Sequence, residues 1–157
     1  PGGAPVPPLR SLAAIAHDAP VGNPSRIFLS ISGACLLLTG LIGFAVSGSF
    51  PTRRDAVGTS HGHIFGVLET NGWHNAAALA LAVPSLLVAL RWPRWTPGVA
   101  VASGLANTAV FLLFAVWGGA TFLVASNDAD QVVHATTALA GTACGGWDLW
   151  VGRRPWT

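Results

Sequence analysis

The sequence predicts an all-α integral membrane protein, a bundle of four transmembrane helices. Of its 157 residues, 52% are hydrophobic and only 9% are charged, and the mean hydropathy is +0.56. Soluble domains carry about 25% charged residues. Four apolar segments are long enough to cross a bilayer, and arginine and tryptophan residues lie at their ends. These observations together indicate that lipid surrounds the fold.

The length of the apolar segments gives the predicted spans. About 20 helical residues, each rising about 1.5 Å, cross roughly 30 Å of hydrocarbon. The segments lack the period-two alternation of barrel strands, so helices are favoured. Pro84 is expected to kink the second span without ending it. The predicted spans are 27–48, 73–90, 99–124 and 131–151.

The amino-terminal stretch predicts a tail. Proline removes backbone donors from a helix and favours an extended chain. The prolines of this stretch are Pro1, Pro5, Pro7, Pro8, Pro20 and Pro24. We expect residues 1–25 to form a cytoplasmic tail that orders only against a partner, with one short helical possibility at 11–17. The transmembrane domain is expected to cover residues 26–154.

The arginines predict the orientation of the spans. Cytoplasmic loops of membrane proteins carry an excess of basic residues near the span ends. One side of the predicted topology has only Arg53 and Arg54, and the other has Arg10, Arg26, Arg91, Arg94, Arg153 and Arg154. Tryptophans mark the same boundaries, with Trp73 and Trp117 on the outer side and Trp92, Trp95, Trp147, Trp150 and Trp156 on the inner side. Both termini are therefore expected in the cytoplasm, with the protein in the bacterial inner (cytoplasmic) membrane.

A short internal repeat accompanies this topology. The sequence Phe-Ala-Val-Ser-Gly closes span one at 44–48, and Phe-Ala-Val-Trp-Gly closes span three at 114–118. Asn71 before span two likewise matches Asn127 before span four. The two halves have the same orientation, so the sequence predicts two parallel helical hairpins related by an axis along the membrane normal.

Two polar segments resemble a known family. Phe65–Asn75 and Val124–His134 are similar to the segments that open the second and fourth helices of a four-helix bacterial membrane family, a domain of unknown function common in actinobacteria. In that family each segment contains the motif Asn-x-x-His/Asp-Asn-x-x-His. The resemblance covers about residues 26–151 and implies the four-helix architecture without a known activity.

The motif positions transfer to this chain with two departures. Gln131 stands in place of an asparagine, and Ala78 stands where the first motif would have its second histidine. A function that needs a histidine from both motifs would therefore be compromised. The matching residues are Asn71, His74, Asn75, Asn127, Asp130 and His134.

The candidate functional site lies on the predicted outer side, where spans two and four begin. Asn71 and Asn127 precede helices and can cap them, and acidic residues complement a helix start. Asp130 and His134 are four residues apart on one helix face and can pair. These polar residues could converge if the two spans pack side by side. We name them the outer polar cluster: Glu69, Asn71, His74, Asn75, Asn127, Asp130 and His134.

His61 and His63 are candidate metal ligands. With one glycine between them on a flexible loop, two imidazoles could share zinc or copper, and an aspartate or glutamate could complete the shell. The alternative is a pair of solvated loop residues, because structural zinc sites need four ligands.

His134 is a candidate axial ligand of a tetrapyrrole such as haem or chlorophyll. Gly141 and Gly145 follow on the same helix face, so a flat macrocycle could lie on a smooth stripe. The alternative is that these glycines let helices pack closely while His134 bonds Asn71 or Asn75.

The favoured function is a non-catalytic accessory or structural subunit that docks onto a larger membrane protein complex. No nucleophile with a base in register, phosphate-binding loop or pair of catalytic carboxylates is visible, so an enzyme is not expected. The arginines form no patch for nucleic acid. The expected partners are lipid and other integral membrane proteins, with no cofactor and with the oligomeric state open. The alternative is a cofactor-binding membrane protein that holds haem, a chlorophyll-type tetrapyrrole or a metal through outer-side histidines.

Overall fold

Four long helices make up most of residues 23–152, which are the residues that the computed structural model describes. The helices in chain order are α1 (Pro24–Val46), the single turn α2 (Arg54–Val57), α3 (Gly72–Arg91), α4 (Thr96–Trp117) and α5 (Asp128–Val151). An antiparallel hairpin of β1 (Gly62–Ile64) and β2 (Leu68–Thr70) lies between α2 and α3. Short 3-10 turns at Pro93–Trp95 and Gly119–Phe122 flank α4.

The predicted tail falls largely outside the described residues. Residues 1–22, with the helical possibility at 11–17, are not among them, and neither are 153–157 with the two carboxyl-terminal arginines. Pro24 and Ser25, predicted as tail, instead begin α1. Asn23 caps this helix by accepting a hydrogen bond from the Arg26 N–H at 3.1 Å, and proline is well suited to the first helical turn.

Three segments of the described chain are long and apolar enough to cross a membrane. They are Pro24–Val46, Gly72–Arg91 and Pro93–Trp117, and they correspond to predicted spans one to three. Pro84 lies inside α3 and does not end it. Helix α5 has 24 residues but is not among the three segments. Its composition explains the difference, because Asp128, Asp130 and Asp148 are charged and much of the remainder is glycine, alanine and threonine.

Several helix ends differ from the predicted span ends by a few residues, and two of these differences have a clear local cause. Span three was expected to reach residue 124, whereas α4 ends at Trp117. Gly118 follows with a φ of 73°, a conformation that glycine adopts at little cost, and turns the chain out of the helix. Span four was expected to begin at 131, whereas α5 begins at Asp128 because Asn127 caps it.

The hairpin adds a small two-stranded sheet to the mostly helical fold that the sequence predicted, and it stands in place of the flexible loop expected around His61 and His63. His63 lies in β1, directly opposite Glu69 of β2, and His61 immediately precedes β1. The strands are joined by a tight connection in which the Val67 N–H donates to the Ile64 carbonyl at 3.1 Å. Each strand has only three residues, which is too short for the alternation of polar and apolar residues that identifies a strand in a sequence.

Small residues let the long helices pack closely. Helix α1 packs mainly on α3 and α4 mainly on α5, while α1 also contacts α5. A Cβ added at Gly33 would lie 2.9 Å from the Leu86 Cγ. One added at Gly141 would lie 2.9 Å from the Ala100 carbonyl oxygen and 3.1 Å from the Gly104 Cα. Gly141 therefore allows α5 to touch the backbone of α4, as the packing interpretation of its glycines expects.

The fold has two halves, the first from α1 to α3 and the second from α4 to α5. Each half buries residues at equivalent positions of its two long helices. Three buried residues of α1 have the same spacing as three of α4: Ser25, Leu29 and Gly33 against Thr96, Ala100 and Gly104. Three buried residues of α3 likewise match three of α5: Ala82, Ser85 and Ala89 against Ala138, Gly141 and Gly145. The halves meet where the Ser25 hydroxyl donates to the Thr96 hydroxyl at 3.0 Å. In α3 and α5 this register is the one set by Asn71 and Asn127, whereas in α1 and α4 it is offset by one residue from the repeat of Phe44 and Phe114.

Replacing Gly141 by leucine is expected to reduce the unfolding free energy by about 1–3 kcal/mol. The new side chain would meet the backbone of α4, which cannot move aside without separating the helices. Gly146→Leu on the same helix is the matched control, since an added Cβ there meets nothing within 4 Å. Thermal unfolding of both variants in mild detergent tests this expectation. Equal melting temperatures for the two variants would contradict the packing described for α4 and α5.

Candidate functional site

Helix α3 begins at a buried asparagine with two roles. The Asn71 Oδ1 accepts a hydrogen bond from the His74 N–H at 3.0 Å and so caps the helix. Its Nδ2 donates to the Leu123 carbonyl at 2.9 Å, in the connection that leads to α5. Asn71 is fully buried. One side chain therefore satisfies a free helix donor and also holds a loop of the other half.

Asn127 has the same two roles at the start of α5. Its Oδ1 accepts from the Asp130 N–H at 3.1 Å, and the Asp130 carboxylate accepts from the Asn127 N–H at 2.9 Å, which completes a capping box. The Asn127 Nδ2 donates to the Val67 carbonyl at 2.7 Å, in the connection that leads to α3. We call the pair of amide-to-carbonyl bonds made by Asn71 and Asn127 the reciprocal cap exchange.

A second pair of bonds repeats the exchange one helical turn further on. The His74 Nδ1 lies 3.0 Å from the Ala125 carbonyl oxygen, and because a carbonyl can only accept, His74 is the donor. The Asp130 carboxylate accepts from the Glu69 N–H at 3.2 Å. Ala125 and Glu69 occupy equivalent positions, each two residues before a cap asparagine. His74 and Asp130 therefore differ in chemistry but hold equivalent points of the opposite half.

A third pair of hydrogen bonds has one bond in each half and none between the halves. The Thr70 hydroxyl donates to the Asn75 Oδ1 in a short hydrogen bond, and the equivalent Gln131 Nε2 donates to the Ser126 hydroxyl at 2.9 Å. Asn75 also donates from Nδ2 to the Ser47 carbonyl at 2.8 Å, where α1 ends. Within the described residues, the buried Gln131 Oε1 has no hydrogen-bond partner. The first half is thus more fully bonded than the second at this position.

Burial sets the electrostatics of Asp130, which precedes the predicted fourth span. Burial raises the pKa of its carboxyl above the usual value for aspartate, while the hydrogen bond from the Asn127 backbone, the charge of His74 and the bond from the Glu69 backbone act in the opposite direction. The carboxylate is therefore held by specific donors in a place that disfavours its charge.

His134 lies apart from the rest of the outer polar cluster. Its Nδ1 bonds the Asn107 Oδ1 of α4 at 2.9 Å, not Asn71 or Asn75 as the sequence suggested. The ring also packs edge-on against Phe114, with centroids 6.1 Å apart. Further along α5, the backbone of α4 packs on Gly141 and Gly145, so it covers the surface on which a macrocycle would have to lie.

Glu69 faces the hairpin histidines. Its Oε1 lies 3.9 Å from the His61 Nε2 and 3.8 Å from the His63 Nε2, and the two imidazole centroids are 5.3 Å apart. These three are the one group of three or more metal-ligating side chains found close together in residues 23–152. The structure thus supplies a particular third residue for the histidine pair that the sequence suggested.

Sequence reasoning missed several members of this site. Thr70 and Ser126 precede the cap asparagines at equivalent positions, so aligning the two halves on Asn71 and Asn127 would have found them. Asn107 could have been suspected as a polar residue deep in an apolar span. The Leu123 and Val67 carbonyls, which accept the hydrogen bonds of the reciprocal cap exchange, could not be identified from the sequence, because every residue has a backbone carbonyl.

Comparison with known proteins yields a family match. Residues 26–147 match the model of a family described as "Domain of unknown function (DUF4383)". No curated protein and no solved structure matches the chain.

Asn71→Asp is expected to lower the unfolding free energy by about 1–3 kcal/mol, and Asn127→Asp by less, because the Asn127 bond to Val67 is exposed to solvent. Aspartate keeps the cap oxygen but sets a second oxygen against the carbonyl that the amide nitrogen now donates to. In the double variant the losses should not add, with a coupling of about 0.5–3 kcal/mol, because either change loosens the same junction. Detergent or denaturant unfolding of the single and double variants measures both quantities.

Asn23→Asp is the matched control, because Asn23 caps α1 through its Oδ1 and aspartate caps about equally well. Its stability should stay within about 0.5 kcal/mol of the parent. If Asn71→Asp were as benign as Asn23→Asp, the exchange would contribute nothing to stability.

Proposed function

Since the chain belongs, through residues 26–147, to the DUF4383 family of unknown function, we propose its role from the molecule itself. We propose that it is a non-catalytic integral membrane protein that crosses the bacterial cytoplasmic membrane four times and serves as an accessory subunit of a larger membrane protein complex. The observation that carries this proposal is the distribution of polarity: large apolar side chains are exposed along the helices, and polar side chains bond backbone groups where α3 and α5 begin.

The four-crossing arrangement is supported by the equivalence of α3 and α5. They share three buried positions and each begins with an asparagine cap, so a membrane position for α3 favours one for α5. At about 1.5 Å per residue, the 24 residues of α5 reach roughly 36 Å, more than the hydrocarbon thickness. Its exposed side chains include Val132, Val133 and Leu139, which would suit lipid. Its charged residues lie near its two ends.

The orientation is supported by the arginines of the described chain. Arg91 and Arg94 lie between α3 and α4, where Trp92 and Trp95 are also exposed. Arg53 and Arg54 lie at the opposite end of the long helices, beside the hairpin. Arg26 lies at the same end as Arg91 and Arg94, where it bonds the Ala89 carbonyl at 2.9 Å, so three described arginines lie there against two beside the hairpin. The end with more arginines is proposed to be cytoplasmic, with both chain termini on that side.

The non-catalytic role is supported by the bonding of the outer polar cluster. Asn71, Asn75 and Asn127 use both ends of their amides in contacts that hold helix starts and loops. His74 and Asp130 bond backbone groups of the opposite half. Groups committed in this way to the backbone fit a structural role better than proton transfer. A tetrapyrrole is not part of the proposal, because α4 covers the face beside His134.

Docking is supported by an apolar groove between α4 and α5. The groove has a volume of about 410 Å³ and is lined by Leu105, Thr108, Ala138, Leu139, Thr142 and Ala143. The lining combines two exposed leucines with smaller side chains, and close packing on small residues is how transmembrane helices associate. The proposed occupant is a transmembrane helix of a partner protein.

Cysteine labelling tests the crossings. In a chain with Cys35→Ala and Cys144→Ala, Thr59→Cys is expected to react with a membrane-impermeant maleimide in intact cells. Arg94→Cys should react only after the membrane is opened, because the two positions lie at opposite ends of the long helices. Both positions are exposed, so neither change should disturb packing. Equal labelling of both in intact cells would refute the orientation.

Substitution in the groove tests docking. Ala143→Phe is expected to fill the groove and to abolish recovery of a partner membrane protein after mild-detergent extraction, as measured by mass spectrometry. Ala34→Phe on the exposed side of α1 is the matched control and should retain the partner. If the parent chain purifies alone from native membranes, or if both variants retain the same companion, docking at this groove is wrong.

A further inference from the structure

Three ligating side chains converge on one face of the hairpin. Successive side chains of a strand point to opposite faces, so His61 and His63 share a face across Gly62. His63 pairs directly with Glu69 across the hairpin, and paired residues place their side chains on the same side. The ligating atoms of all three residues lie within 4.8 Å of one another.

A hydrogen bond fixes the orientation of one imidazole. The His61 Nδ1 lies 3.2 Å from the Val57 carbonyl oxygen, which can only accept, so Nδ1 carries the proton. In the neutral ring Nε2 then presents its lone pair, and this is the atom that faces Glu69. Metal-binding histidines commonly donate their other ring nitrogen to a backbone carbonyl in this way. The hydrogen bond to Val57 therefore holds the His61 ring in an orientation that leaves Nε2 available to a metal.

The distances suit a small divalent cation. The two contacts of the Glu69 Oε1, 3.8 and 3.9 Å, are too long for hydrogen bonds. Zinc bonds of about 2.0–2.1 Å in tetrahedral geometry separate neighbouring ligand atoms by about 3.3–3.4 Å. A cation at the centre would therefore draw Glu69 towards each imidazole by about half an ångström, and the ligating atoms of the two imidazoles, which lie within 4.8 Å of each other, by up to about 1.5 Å. Rotation of partly exposed side chains can supply that movement without altering the strands.

We propose that His61, His63 and Glu69 form a binding site for a borderline divalent cation of the Zn²⁺ class, with a fourth position open to water. Two imidazoles and one carboxylate suit Zn²⁺ better than Ca²⁺ or Mg²⁺, which prefer oxygen ligands. The His63 side chain is 45% exposed, so the cation can reach the site from solvent.

The bound cation would connect three elements of the fold. It would join β1 to β2 through His63 and Glu69, and it would join both to α2 through His61 and Val57. The Glu69 N–H donates to Asp130 at the start of α5. Binding would therefore stiffen the segment that leads to the cap of α3 and would raise the melting temperature. This inference is independent of the docking proposed for the groove.

Calorimetric titration of the full-length protein in detergent, after chelator treatment, tests the site. The parent is expected to bind one Zn²⁺ per chain, and His61→Ala, His63→Ala and Glu69→Gln should each weaken binding by more than about 100-fold, since even second-layer changes cost 10–100-fold. Asp55→Asn and Asp128→Asn are matched controls that remove exposed carboxylates outside the three ligands and should bind Zn²⁺ like the parent. Mg²⁺ at the same concentration should give no binding heat.

Melting temperatures separate ligand loss from misfolding. Without metal, the three ligand variants should melt like the metal-free parent, and Zn²⁺ should raise the melting temperature of the parent and the controls alone. The proposal is overturned if the parent binds no Zn²⁺, or if all three ligand variants bind it as tightly as the controls. The three side chains would then form a histidine–glutamate ion pair without a metal.

Discussion

The reciprocal cap exchange is the constraint on which the rest of the fold depends. A helix start leaves backbone donors without partners, and a buried connecting loop leaves carbonyls without partners. Asn71 and Asn127 satisfy one group of each kind with a single side chain, and in each case the carbonyl belongs to the other half. The bond from Asn71 to Leu123 is partly buried, whereas the bond from Asn127 to Val67 is exposed to solvent. Loss of the partly buried bond would leave polar groups without partners at a cost of about 1–3 kcal/mol, so the halves stabilise one another mainly there.

The register of the helices follows from this junction. The exchange fixes where α3 and α5 begin relative to each other, and every later buried position is then set by helical spacing. Ser85 and Gly141 consequently reach equivalent places, each against a glycine of the helix it packs on, Gly33 or Gly104. At the other end of the helices, the Ser25–Thr96 hydrogen bond closes the arrangement between α1 and α4. Sliding one half along the other would break polar bonds at both ends and bring side chains into backbone.

The sequence predicted the features that depend on residues near one another in the chain. Apolar length located the three membrane-compatible helices, and the asparagines were recognised as caps because a cap depends on its own helix. The end of α4 was placed too late because apolar residues continue after Gly118, and only the backbone conformation there ends the helix. The partners of His134 and of both amide nitrogens depend on tertiary packing. Spacing along the chain could not supply them, and a three-residue strand was too short to read.

The places where the two halves differ are the most informative about function. Equivalent residues that make equivalent bonds, such as Asn71 and Asn127, are explained by the architecture that both halves share. Glu69 and Ala125 occupy equivalent positions at the junction, where Glu69 donates its N–H and Ala125 accepts at its carbonyl, yet only Glu69 adds a side chain that can bind a ligand. The hairpin that brings histidines to this carboxylate lies in the first half, and the shorter connection before α5 contains a 3-10 turn instead. Architecture requires the Glu69 backbone but does not require its carboxylate, so the carboxylate calls for a separate explanation, and a cation held between the two imidazoles provides one.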